Sequence, residues 1–205
     1  MSKGPLVSDR KEQIAEVALR LADTLGPERV STTAVARVIG ISQPALFKHF
    51  PNKGAIWRAV ARLIVDRMED AWKVAKAEET DAMTRLRRLV HSQLSLVQGA
   101  PGIPAILFSR ELHARDTELR QVFFQLTQRF RDVIETIVAD GQTAGTVTTA
   151  STSRDIATLV QSMIHGTVLR WSMSGQAFDL PVEGVRLLDL QLSRLATAPA
   201  VDGRP

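Results

Sequence analysis

The sequence predicts an all-α protein of about nine helices. Three observations carry this: apolar residues recur at helical spacing along most of the 205 residues, helix-stopping Gly and Pro clusters punctuate them, and no segment shows the strict alternation of a half-buried strand. The helices sort into a three-helix N-terminal bundle containing a helix-turn-helix, and a longer helical region after it. The expected boundaries are residues 1–54, 55–198 and a frayed tail at 199–205, where Pro, Gly and Asp accumulate.

The first helix spans 9–25, with Ile14, Val17, Ala18, Leu21, Ala22 and Leu25 on its apolar side and Arg10, Glu12, Glu16 and Arg20 opposite. Asp9 and Glu12 have the spacing of a capping box, and Gly26-Pro27 ends the helix. A second helix opens at Ser31 or Thr32 and carries Val35, Ala36 and Ile39. A turn at Gly40-Ile41-Ser42 leads into a third helix over 42–49. Ser42 can cap that helix, and Pro44 falls in its first turn, where a missing N–H costs nothing.

Asn52 can cap the next helix, 54–79, whose apolar face holds Ile56, Val60, Leu63, Ile64 and Met68. Asp81 caps 83–98, and the Gly99-Ala100-Pro101-Gly102 break precedes a helix at 103–113. A long helix from Asp116 runs to the Gly141–Gly145 region. The hydroxyl-rich stretch 146–153 introduces a helix at 154–173, and a last helix spans 182–195.

Composition narrows the functional classes. With no cysteine there is no disulfide framework, thiolate metal site or cysteine nucleophile. No apolar run reaches membrane-spanning length and the first residues lack a signal-peptide core, so a cytoplasmic protein without a membrane partner is expected. Residues 1–60 hold nine Lys/Arg against five Asp/Glu, and the remaining seventeen of each cancel, so the whole net charge of +4 lies in the N-terminal segment. That distribution suits contact with a polyanion.

In a helix-turn-helix the supporting helix crosses a second helix that enters the major groove. The crossing needs a small residue, the turn a glycine, and the inner face apolar anchors. Ala36, Gly40, Ile41, Leu46 and Phe50 fill these places. Gln43, Pro44, Ala45, Lys48 and His49 are left outside: an amide for a base edge, small groups for close approach, and cations for phosphates.

The stretch 31–53, STTAVARVIGISQPALFKHFPNK, resembles the DNA-binding signature of TetR-family (tetracycline-repressor-like) transcriptional regulators. Phe47, Lys48, His49, Phe50 and Lys53 match its aromatic-x-His-Phe pattern with a following lysine. Position 47 departs from the usual tyrosine, so Phe47 can pack on the DNA backbone but cannot donate to a phosphate. The resemblance implies that Ser31, Thr33, His49 and Lys53 hold phosphates and that Gln43, Ala45 and Lys48 face the bases or groove wall. Ser42, Pro44 and Phe47 complete the expected DNA-binding set.

The same resemblance implies a homodimer on an inverted-repeat operator in double-stranded DNA, and an unidentified small-molecule effector bound among the later helices. Ile156, Val160, Met163, Thr167, Leu188 and Leu192 are the expected dimer interface, with Gly166 allowing close approach. Phe108, Arg110, Phe124, Met163, Arg170 and Trp171 are the expected effector residues. No cofactor or metal is expected: His91, His113 and His165 lie on separate helices, without metal-ligand spacing. No nucleophile–base pair or phosphate loop supports an enzyme. The reading is a repressor released by its effector. The alternative is a nucleoid or cell-division factor of the same fold that recruits a protein partner.

Overall fold

A computed structural model of the chain describes residues 7–73 and 81–193, and among them it holds ten helices and no sheet. The expected tail at 199–205, the far end of the helix drawn to residue 79 and the last residues of the one drawn to 195 lie outside the described residues.

Helix α1, Val7–Leu25, already runs at Val7, two residues before the expected start. Its buried stripe is Ile14, Ala15, Val17, Ala18, Leu19 and Ala22. Gly26, at φ +76°, ends it in the left-handed conformation that glycine adopts without strain. α2, Thr32–Ile39, starts on Ser31, whose hydroxyl accepts the Ala34 amide at 3.1 Å. Gly40, at φ +75°, closes α2, and the Ile41 amide returns to the Ala36 carbonyl at 3.0 Å. α3, Gln43–Phe47, starts on Ser42 and is shorter than expected.

α4, Lys53–Trp72, is capped by Asn52, which accepts the Ala55 amide at 2.9 Å. α5 is Ala82–Gly99, with Asp81 accepting the Thr84 amide at 3.0 Å. The single helix expected at 103–113 is two: α6, Gly102–Leu107, and α7, Arg110–Arg115. Ser109 makes the break, because its hydroxyl caps α7 by accepting the Leu112 amide at 3.2 Å. α8, Thr117–Thr143, starts on Asp116, α9 is Ser153–Met173, and α10 is Leu180–Leu192.

The chain divides into two compact units, Met1–Asp70 with Leu96–Thr127, and Ala71–Ser95 with Gln128–Pro205. α6 and α7 fall in the first unit with the N-terminal helices. The reason is a close approach: a Cβ on Gly102 would lie 2.1 Å from the carbonyl oxygen of Leu19 on α1. In the second unit Gly184 of α10 lies as close to Leu94 of α5, and Trp72 stacks on Phe130 with ring centroids 5.1 Å apart while donating to Gln93 at 2.6 Å. The chain's three tryptophans, Trp57, Trp72 and Trp171, are all buried. No described helix is long and apolar enough to cross a membrane.

Candidate nucleic-acid interface

The supporting helix α2 and the outer helix α3 are joined by three residues, Gly40, Ile41 and Ser42. Val35 and Ala36 of α2, Leu46 of α3 and Phe50 just beyond it are buried, and Ile41 is half-buried between them in sequence. Those anchors leave one side of α3 in solvent. Ser42, Gln43, Pro44, Phe47 and Lys48 are exposed, while Ala45 and His49 are half-buried. On α2, Ser31 and Thr33 are exposed as well. Ser31 and Ser42 accept backbone amides with their oxygens, which leaves each O–H able to donate to a phosphate.

Two polar groups of this surface have partners that the sequence did not disclose. Gln43 Nε2 donates to Thr32 Oγ1 at 2.9 Å, joining the first residues of α2 and α3. Lys53 Nζ donates to the backbone carbonyl of Glu28 at 3.0 Å. Burial, and then the nearby Arg115 charge, lower the Lys53 ammonium below the usual lysine range. Glu28 also accepts from Ser109 at 2.6 Å, and that bond holds its carboxyl below the usual carboxylate range. Thr32 and Gln43 are eleven positions apart, so no helical periodicity pairs them; only the crossing geometry of the motif does.

Of the expected dimer residues, Ile156, Val160, Thr167, Leu188 and Leu192 are buried within the single chain. The opposite side of α9 is the open one: Leu159, Gly166 and Met173 are exposed, with Met163 half-buried in the same stripe. Met173 is 80% exposed, and α10 adds exposed Val182 and Leu190. A Cβ on Gly166 would meet nothing within 4 Å.

The expected effector residues are divided between the units: Phe108, Arg110 and Phe124 in the first, Met163, Arg170 and Trp171 in the second. Phe124 is 62% exposed, Phe108 38% and Trp171 2%. Arg170 lies 4.8 Å from the centre of the Phe178 ring and pairs with Glu183 at 2.5 Å. Hydrogen bonds from Arg186 and then Arg170 hold the Glu183 carboxyl down at about 2. One cavity in the second unit, bounded by Leu86, Ile137, Ile156 and Leu192 among others, is about 10 Å³, enough for a single water. His113 Nε2 donates to the Leu107 carbonyl at 2.9 Å, and no group of three metal-ligating side chains occurs among the described residues.

A supporting helix, a three-residue turn and an outward-facing helix with amide and cationic groups define a helix-turn-helix DNA-binding protein. Comparison with known proteins makes this specific. Residues 14–60 match the family model for bacterial regulatory proteins of the tetR family, and residues 61–192 match that for the C-terminal region of YsiA-like proteins. The chain belongs to the TetR family and is a DNA-binding regulator of transcription.

Among curated relatives, the nucleoid occlusion factor SlmA of Marinobacter nauticus is 24% identical over 165 residues, covering 80% of this chain and 85% of that one. Two solved structures share the fold. A putative transcriptional regulator from Saccharomonospora viridis in complex with choline superposes with a TM-score of 0.82 at 21% identity, covering 93% of this chain and 100% of that one. The regulator FadR from Bacillus subtilis in complex with stearoyl-CoA gives 0.71 at 21%, covering 88% and 97%.

Proposed function

We propose that the protein is a homodimeric repressor that reads an inverted-repeat operator with one α3 per protomer and is released by a small-molecule effector. The observation that carries this reading is the pair of open surfaces on one chain: polar α3 residues beside Ser31 and Thr33, and an apolar stripe on α9 and α10. One α3 can cover only a half-site, and a two-fold dimer fixes the spacing of two half-sites by about one helical turn. Leu159, Met163, Gly166, Met173, Val182 and Leu190 are the interface residues in this reading.

Gln43 contacts a base edge, Lys48 and Lys53 hold phosphates, and Ser31, Thr33 and His49 position the backbone. The complexes of the fold neighbours with stearoyl-CoA and choline support effector control, and they direct the search to acyl-CoA thioesters and quaternary amines. Selection from a random duplex library tests the DNA half of the reading: an inverted repeat is expected, and enrichment of single half-sites overturns it. A ligand that stabilises the free protein must lower operator affinity by the factor by which the operator lowers its own binding. Ligands that stabilise the protein but leave operator affinity unchanged overturn the effector half.

The likeness to SlmA over most of the chain favours a second reading, a nucleoid-associated factor that recruits a protein partner. Chromosome-wide footprints separate the two. Occupancy spread over many intergenic and coding sites supports the second; occupancy confined to a few promoters supports the first.

A further inference from the structure

Thr32 is the first residue of α2 and Gln43 the first of α3, and their side chains are joined by the bond from Gln43 Nε2 to Thr32 Oγ1 at 2.9 Å. Thr32 does not cap its helix, since Ser31 does, and Gln43 does not cap α3, since Ser42 does. The bond thus does no work at either helix start. Gln43 is exposed, so water would serve its amide as well in the free protein, and the bond adds little to folding. Its effect is on direction.

A glutamine amide has two unlike ends: Oε1 only accepts and Nε2 only donates. A side chain free to flip offers either end to a base and discriminates poorly. In the structure Nε2 faces Thr32 Oγ1, which leaves Oε1 and the second N–H for a base. In the major groove adenine and cytosine present exocyclic amine donors, whereas guanine and thymine present carbonyl acceptors in the corresponding places. We propose that Thr32 is a positioning residue that turns the oxygen of Gln43 toward the groove, restricting one position of each half-site to a base with an exocyclic amine. This rests on the reading of Gln43 as a base contact.

The test uses the full chain with Thr32→Val, which keeps shape and removes the hydroxyl, Thr32→Ser, which restores it, and Gln43→Ala. Random-duplex selection with the wild type and Gln43→Ala identifies the base position that Gln43 governs. Fluorescence anisotropy then compares four duplexes differing only there. The wild type is expected to favour adenine or cytosine over guanine and thymine by about tenfold, within the range of a good side-chain–base pair. Thr32→Val should reduce this to about twofold or less, with the salt dependence and the other positions unchanged, and Thr32→Ser should recover it.

If Thr32→Val keeps full discrimination while Gln43→Ala loses it, Thr32 positions nothing and the reading of Gln43 stands. Loss of affinity by Thr32→Val for all four duplexes alike makes Thr32 a phosphate contact and overturns the proposal. A wild-type preference for guanine or thymine means the amide is turned the other way, which also overturns it. If Gln43→Ala relaxes no position, the base-contact reading fails and this proposal with it.

Discussion

Ser109 Oγ donates to Glu28 Oε1 at 2.6 Å while accepting the Leu112 amide at 3.2 Å. One buried hydroxyl therefore starts α7 and grips the turn between α1 and α2, whose backbone Lys53 also holds. Ser109→Ala removes a cap and a bond to a carboxylate together, and should cost about 1–3 kcal/mol in urea unfolding at pH 7. The pH dependence has a definite sign. A carboxyl held below its usual value of 4.5 stabilises the fold above that value and stops doing so as pH falls through its lowered one. The wild-type advantage over Ser109→Ala should accordingly shrink below pH 4.5, leaving the cap contribution.

Gly102→Ala should be among the most damaging small changes in the first unit. Its Cβ would meet a backbone carbonyl oxygen, which cannot rotate away as a side chain can. A loss of about 1–3 kcal/mol, or more, is expected in thermal or urea unfolding. Gly99→Ala, with open space at its Cβ, is the matched control and should be neutral or stabilising.

Gly166→Leu separates fold from assembly. Gly166 is exposed in mid-helix, so leucine should raise the helical stability of the protomer by up to about 1 kcal/mol. Across a close helix–helix contact the same side chain should weaken the dimer, and sedimentation at falling concentration reads this directly. Met173→Asp should also yield folded monomers. Leu188→Asp should instead unfold the chain, because Leu188 is fully buried inside it.

Lys48→Ala should weaken binding to all duplexes alike and flatten the salt dependence by about one unit. Lys53→Ala should do the same and also lower the melting temperature, since the Glu28 carbonyl loses its donor. A change in melting temperature with the salt slope intact would make Lys53 a brace for the turn and nothing more.

The start of the chain was largely legible because its devices are local. Ser31, Ser42 and Asn52 cap what lies just after them, and Gly40 and Pro44 meet backbone needs that each residue type declares by itself. Long-range pairing was not legible. Nothing near Ser109 in sequence shows that its hydroxyl reaches Glu28, and the apolar run around it conceals the break between α6 and α7. α9 carries a different ambiguity. It is apolar on both sides, Ile156, Val160, Ile164 and Thr167 inward and Leu159, Met163 and Met173 outward, so periodicity found a stripe but not which neighbour it faces.

The buried tryptophans give the chain a built-in optical reporter. There is no tyrosine, so all near-ultraviolet emission of consequence comes from Trp57, Trp72 and Trp171, and none of the three is open to a bound duplex. Trp57 lies in the first unit, and Trp72 and Trp171 lie in the second. A shift in emission on adding operator therefore signals rearranged packing, not contact, and single Trp→Phe replacements assign it to one of the three.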